Sequence, residues 1–264
     1  MKIITSPNQV TFNYQIPSHL EGISDMSLVR DADLTLLNDE LKQRGSDVES
    51  KKEGKIIWRL GFPNMVLDAT NVYMYEGGVC MDVVPIHPHR ADLAFKGDKS
   101  LKRNVYPVTV NSILVDSEGN KILGVRGGNV AQGKLGVIPG GHAEYNSKNP
   151  ERSAFVHLLA EFEEELDFPY EKSELESPIV GVFDNRDING INVLYVTKIN
   201  KSYEEISQSQ KFAKDSYEHE KLLKLGRSHL EELAGTGKLN LGSKGYETTP
   251  FFQDCLRFYL DFLN

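Results

Sequence analysis

The chain has 264 residues, of which 39% are hydrophobic and 26% charged, as in an ordinary globular protein of one large domain or one domain with an appendage. Its net charge of −8 argues against general nucleic-acid binding through a basic surface, and no apolar run is long enough to span a membrane or act as a secretory signal. We therefore expect a cytoplasmic protein with no membrane partner. The two cysteines, Cys80 and Cys255, are far apart and predict neither a disulfide framework nor a zinc site.

The N-terminal third, residues 1–104, is predicted to form a small α+β region. Alternating apolar residues, leucines at helical spacing and glycine turns predict a strand over 10–16, a helix over 31–44, a strand over 55–60 and a hairpin over 72–84. Residues 85–92 contain two histidines and an aspartate that could bind a metal, but two prolines in the same stretch favour an irregular connection. No motif here indicates a function beyond packing, dimerisation or shaping a substrate pocket.

Residues 105–264 are predicted to form the larger domain. Its predicted elements are strands over 108–115 and 121–126, a Pro-Gly-Gly turn ending at 141, an acidic helix, strands over 179–183 and 191–197, a helix from 215 to 233 that ends at Gly235, and an apolar helix after Thr249-Pro250. The last helix must pack on this chain or on a second copy, so a homodimer is one expectation.

The acidic helix follows the glycine turn directly and carries three glutamates close together on one face. Glu161 and Glu165 are four residues apart, and Glu164 is three from Glu161. Like charges at this spacing repel, and a divalent cation such as Mg²⁺, which prefers oxygen ligands, would compensate. The alternative is an acidic, solvated helix face. Against it, apolar residues at helical spacing predict a buried stripe beside the acids, comprising Phe155, Leu158, Leu159, Phe162 and Leu166.

Residues 141–168 resemble the Nudix box, the signature of the Nudix hydrolase superfamily, whose pattern is G-x5-E-x7-R-E-U-x-E-E-x-G-U with U apolar. The residues that fall on the pattern are Gly141, Glu161, Phe162, Glu164, Glu165 and Phe168. Ala160 stands in place of the arginine and Asp167 in place of the last glycine. Five extra residues lie between Gly141 and Ala160.

The extra residues are expected partly as an added helical turn. Asn149 and Pro150 predict a helix start about one turn early, as an N-cap followed by a first-turn proline, with the rest of the insertion in the loop 145–148. The middle glutamate of the pattern then has two candidates, Glu144 and Glu151.

The resemblance implies a Nudix-type α/β/α sandwich with a mixed sheet, an α/β (α+β) fold preceded here by the N-terminal α+β extension. It implies a metal-dependent hydrolase that cleaves the diphosphate bond of a nucleoside diphosphate linked to another group, a small-molecule substrate. Mg²⁺ or Mn²⁺ would be held by Glu161, Glu164, Glu165 and Gly141. Any of the three glutamates could instead be the general base. The expected substrate contacts are Arg126, Glu144, Arg186 and Glu220.

Several of these residues have a structural alternative. Arg126 is equally well explained as a solvated strand end, and His142 and His157 as partly buried side chains rather than ligands. Glu218 and Glu220 are candidates for an extra ligand or base, although acids at a helix start are favoured by the helix dipole alone. Because the box arginine normally orients a glutamate, its loss leaves room for a non-catalytic nucleotide or nucleotide-sugar binding module, or for another enzyme class such as an isomerase. Arg126, Arg152 and Arg186 are the candidates to replace it.

Overall fold

The computed structural model describes residues 4–5, 9–14, 65–75, 78–86, 106–127, 131–145, 153–170, 175–185 and 190–263. The strands in these ranges are β1 (Ile4–Thr5), β2 (Val10–Tyr14), β3 (Met65–Tyr75), β4 (Gly78–Ile86), β5 (Tyr106–Val115), β6 (Lys121–Arg126), β7 (Leu135–Gly136), β8 (Gly140–His142), β9 (Glu144–Tyr145), β10 (Ile179–Asn185), β11 (Gly190–Lys198), β12 (His219–Leu225), β13 (Lys238–Leu241) and β14 (Lys244–Glu247). The helices are α1 (Ala154–Leu166), α2 (Tyr203–Gln210), α3 (Arg227–Thr236) and α4 (Pro250–Phe262), with a 3₁₀ turn at Ser216–Glu218.

Twelve of the strands form one mixed sheet. Its main path runs β1-β10-β11-β5-β3-β4-β2, and β6 joins β5 to β12. β11 and β5 are parallel, with Val193 opposite Val110, whereas β10 and β11 are antiparallel. The remaining two strands, β13 and β14, form a separate hairpin. The N-terminal strands belong to the same sheet, because β3 pairs with β5 and β9, and β1 pairs with β10.

Helices cover this sheet on both faces. On β11, Val193 and Tyr195 pack in one core cluster with Leu158 and Phe162 of α1. Leu194 between them packs in a second cluster with residues of α3 and α4. A strand whose successive side chains are all buried must be covered on both faces. The predicted α/β/α sandwich with a mixed sheet is confirmed.

Most predicted strands are also confirmed. β2, β5, β6, β10 and β11 lie where the alternation placed them, and the predicted hairpin over 72–84 is β3 and β4. The predicted helix over 31–44, the predicted strand over 55–60 and the histidine-containing part of the connection, 87–92, lie outside the described residues.

The segment after residue 215 was expected to be helical, and this prediction is wrong. It contains the 3₁₀ turn and then β12, which pairs with β6 across a bulge between His219 and Lys221. Leu222 and Leu225 are three residues apart, a spacing that also suits a helix, but the open edge of β6 supplies backbone partners that favour a strand. The helix itself, α3, begins only at Arg227 and ends at Thr236, with Gly237 rather than Gly235 as its cap.

The last helix, α4, packs on this chain. Thr249 caps its start, Pro250 occupies its first turn, and Phe252, Cys255 and Tyr259 are buried. The rings of Phe183 on β10 and Phe258 on α4 lie 4.3 Å apart between centroids. None of the described helices is long and apolar enough to cross a membrane.

Helix α1 begins later than predicted. Asn149 and Pro150 lie outside the described residues, and the N-cap is Ser153, whose hydroxyl accepts a hydrogen bond of 3.3 Å from the backbone N–H of Phe155. The extra residues of the box therefore lie before the helix and add no turn to it. At the other end, Asp167 occupies the position of the box glycine with φ +57°, and its N–H donates to the carbonyl of Glu163.

Asp167→Gly is expected to stabilise the protein by about 1 kcal/mol, because an L side chain is disfavoured in the left-handed conformation that this cap adopts. Gly237→Ala, at the equivalent cap of α3 with φ +72°, is the matched opposite and should destabilise by a similar amount. Urea unfolding midpoints measure both. A loss of stability in Asp167→Gly would show that the aspartate side chain stabilises the turn.

Candidate active site

The carboxylate of Glu161 lies directly against the backbone of Gly141. Helix α1 packs on β8, which contains this glycine, and a Cβ added at Gly141 would collide with the Glu161 carboxylate. Only glycine permits this approach. The fold therefore brings the glycine turn together with Glu161, the first of the three matched glutamates.

Glu161 is surrounded by other acids. Burial raises its pKa well above the ordinary value of 4.5, and the carboxylates of Glu165, Glu164, Glu144 and Glu218 raise it further, in that order. These four neighbours, the main charged groups that perturb Glu161 among the described residues, are all carboxylates, so its negative charge is disfavoured.

Glu165 points into the protein. It is 2% exposed and lies on the same helical stripe as Leu158 and Phe162. Its Oε2 is 3.5 Å from Nε2 of His219, which is itself buried at the start of β12. Within the described part of the chain, neither of these two atoms has a partner with hydrogen-bond geometry.

Glu164 lies at the rim of the site. Its Oε1 is 2.5 Å from Nζ of Lys214, and its backbone carbonyl accepts a 2.8 Å hydrogen bond from the N–H of Asp215. Burial and the neighbouring Glu164 raise the pKa of Asp215. The turn before β12 thus adds both a cation and further acids to the edge of the cluster.

A second ion pair joins Arg126 to this edge. The Nη2 of Arg126, at the end of β6, is 3.3 Å from Oε2 of Glu218. Burial and Glu165 raise the pKa of Glu218, while Arg126 and His219 oppose that rise. Glu218 therefore belongs to the cluster. Glu220, the predicted contact, is exposed on β12 beside Gly127.

Glu144 is held next to a neutral histidine. Its backbone N–H donates to Nδ1 of His157 at 3.3 Å, so this nitrogen is unprotonated. Burial lowers the pKa of His157 to about 4, which agrees with a neutral ring. The ring also packs on Phe12, with centroids 5.4 Å apart. His157 therefore has a structural role as well as a place near the acids.

The predicted replacements for the box arginine differ in their outcome. Ala160 itself is exposed on α1, and Arg126 pairs with Glu218. Arg186, also a predicted substrate contact, and Arg152 lie outside the described residues, as does Glu151.

Sequence reasoning missed His219 and Lys214, which contact Glu165 and Glu164. One signal was present: Glu165 is seven residues after Leu158, on the apolar stripe, so a buried partner for it could have been sought.

The carboxylates of this cluster suit a hard divalent cation, although their present arrangement does not form a coordination shell around one. Carboxylate oxygens are the ligands that Mg²⁺ and Mn²⁺ prefer. In the ranges that the structure describes, no three His, Cys, Asp or Glu side chains are grouped as a ready metal site. Glu164 and Glu165 instead face Lys214 and His219. The acidic surroundings of Glu161 and the buried Oε2 of Glu165, which has no hydrogen bond within the described residues, fit a bound cation.

No protein-family model and no curated protein matches the chain. Similar solved structures exist. A MutT protein from Methanosarcina mazei is 19% identical, with coverage of 59% of this chain and 94% of that chain and a TM-score of 0.39. The Nudix domain of Shewanella oneidensis NrtR, complexed with ADP-ribose, is 15% identical (63% and 93% coverage, TM-score 0.37). A bifunctional NMN adenylyltransferase/ADP-ribose pyrophosphatase from Francisella tularensis, complexed with AMP and a Mn ion, is 13% identical (66% and 47%, TM-score 0.41).

These similar structures include Nudix and MutT proteins, the superfamily that residues 141–168 resemble. At these sequence identities and TM-scores, the similarity concerns the fold alone. The chemistry of the site is inferred from the residues of this chain.

Proposed function

We propose that the protein is a metal-dependent hydrolase that cleaves the diphosphate bond of a nucleoside diphosphate linked to another group. The observation that carries this proposal is Glu161, a partly buried residue whose carboxylate lies against Gly141 and whose main charged neighbours among the described residues are acids. Clustered carboxylates destabilise a fold unless a cation binds to them. Acids with pKa values raised in this way are therefore more typical of a functional site than of an ordinary protein surface.

Glu161, Glu164 and Glu165 would hold the cation beside the backbone of Gly141. Bound there, Mg²⁺ or Mn²⁺ would neutralise charge on the phosphate oxygens and make water a better nucleophile. Because Gly141 has no side chain, the main chain is open to close approach by a phosphate. Arg126 can donate two parallel hydrogen bonds to a phosphate if Glu218 releases it.

The reaction adds water across one P–O bond. The water oxygen bonds to one phosphorus, the bond from that phosphorus to the bridging oxygen breaks, and the other phosphate leaves. The water gives up a proton to a carboxylate of the cluster. Glu161 and Glu218 both have a raised pKa, which suits a group that accepts a proton near neutral pH.

The test is a substrate panel with a matched pair of variants. The protein is incubated with ADP-ribose, nucleotide sugars, dinucleoside polyphosphates and nucleotides, with Mg²⁺ or Mn²⁺. Glu164→Gln should reduce turnover of any cleaved compound by about 10²- to 10³-fold. Glu163→Gln makes the same chemical change at the adjacent, exposed position of α1 and should leave turnover unchanged. Equal activity in the two variants would contradict the role given to Glu164.

The second candidate is a binding module that holds such a nucleotide without cleaving it. The observation in its favour is that Glu164 and Glu165 already face Lys214 and His219, while Ala160 provides no arginine to orient them. Saturable binding of a panel compound, with no product formed under any metal condition, would support this candidate over the hydrolase.

A further inference from the structure

We propose that His219 is a positioning residue that holds the carboxylate of Glu165 in the site, the task for which the box pattern uses an arginine. The role of His219 in metal binding rests on the proposed function, whereas its contact with Glu165 is observed in this chain independently of that function. Nε2 of His219 lies 3.5 Å from Oε2 of Glu165, and both side chains are almost fully buried, with exposures of 0% and 3%.

The fold makes a place for this imidazole. On β6, which pairs with β12, a Cβ at Gly124 would overlap the His219 ring. Any larger residue at 124 would displace the ring, so the glycine allows the ring to lie against the strand. The backbone of His219 is fixed as well, because it pairs with Arg126 and its carbonyl accepts a 3.5 Å hydrogen bond from Nε2 of Gln210.

Glu165 needs such a partner. A carboxylate buried on an apolar helix stripe is strongly destabilising unless a donor or a cation faces it. Ala160 cannot supply one, and it is exposed. Lys214 and Arg126 are paired with Glu164 and Glu218, so His219 is the group with a donor nitrogen that faces Glu165 in the described part of the chain.

The contact limits the orientations open to Glu165. One carboxylate oxygen of Glu165 faces the imidazole, and Glu165 also lies close enough to Glu161 to perturb the pKa of Glu161 more than the other neighbouring charges of the described residues do. Partners of this kind fix the geometry of a liganding side chain, and their removal weakens metal binding by about 10- to 100-fold.

The experiment compares two replacements of the histidine in the full chain. His219→Leu keeps bulk and removes the donor, whereas His219→Gln keeps a donor. The dissociation constant for Mn²⁺ is measured by calorimetry without substrate. We expect His219→Leu to bind about 10- to 100-fold more weakly and His219→Gln to recover most of that loss. Leu230→Ala, a buried change on the other face of the sheet, controls for lost packing and should not alter the constant. Binding by His219→Leu as tight as in the unaltered protein would overturn the proposal.

A double-mutant cycle without metal separates this inference from the proposed function. Urea midpoints are compared for His219→Leu, Glu165→Gln and the double variant. If the two residues stabilise each other, the double variant will be no less stable to urea than the less stable of the two single variants. Additive losses would overturn the pairing. Should the unaltered protein bind no Mn²⁺, the proposed function fails, and the cycle alone then decides whether His219 positions Glu165.

Discussion

Glu161→Gln is expected to abolish hydrolysis and, at the same time, to stabilise the metal-free protein. The first effect follows because the cluster loses the carboxylate that lies against Gly141, at a cost of about 10²- to 10³-fold or more in turnover. The second follows from the raised pKa of Glu161, because the folded protein holds a proton there that the unfolded chain releases near pH 4.5.

The pH dependence has a definite sign. As pH rises from about the ordinary value of 4.5 through the raised pKa, the unaltered protein loses stability, because the folded state binds more protons than the unfolded state. Each unit by which the pKa is raised corresponds to about 1.4 kcal/mol. Glutamine does not titrate, so the variant should match the unaltered protein near pH 4 and exceed it at pH 8.

Urea unfolding at pH 4, 6 and 8 without metal measures this difference, with Glu163→Gln as the exposed control on the same helix. The control should show no pH-dependent gain. If Glu161→Gln is the less stable protein at pH 8, then Glu161 makes stabilising contacts that the acidic surroundings do not predict, and the account of the site is wrong.

Gly141→Ala is expected to lower turnover by about 100-fold through geometry alone. The new methyl group would collide with the Glu161 carboxylate and move it, and displacement of a reacting group by about an ångström has costs of this size. The chemical groups of the site are all retained in this variant, so the loss would report on their positions.

Gly235→Ala is the matched control for that variant. Gly235 lies near the end of α3, and an added Cβ would meet nothing within 4 Å. Alanine there should stabilise by about 0.5–1 kcal/mol, as expected for a helical glycine, and leave turnover unchanged. Steady-state kinetics on the best substrate of the panel compares the two. Full activity in Gly141→Ala would mean that Glu161 need not lie against the glycine.

The strands and the glycine turn could be predicted because their signals are local. Alternating apolar residues gave β5, β6, β10 and β11, and the helical stripe gave α1. β12 could not be predicted in this way, because its leucines fit either period and the unpaired edge of β6 decided between them. The short strands β8 and β9 likewise depend on partners distant in sequence, β5 and β3.

The acidic cluster was only partly predictable for the same reason. Spacing along one helix brought Glu161, Glu164 and Glu165 together without further information. Their partners are distant in sequence: His219 comes from the segment that was misassigned as helix and Lys214 from just before it, so no pattern within the box could reveal them. Glu218 replaces Glu220 as the acid at the cluster edge because it ends the 3₁₀ turn beside Arg126, whereas Glu220 follows on β12, at the bulge, and is exposed.

The central claim is that these carboxylates bind a divalent cation, and titration with Mn²⁺ followed by electron paramagnetic resonance tests it most directly. Free Mn²⁺ gives a sharp signal that disappears on binding. We predict saturable loss of this signal with the unaltered protein and little loss with Glu161→Gln at the same concentrations. A signal that the unaltered protein leaves intact, or that both proteins remove equally, would contradict the account.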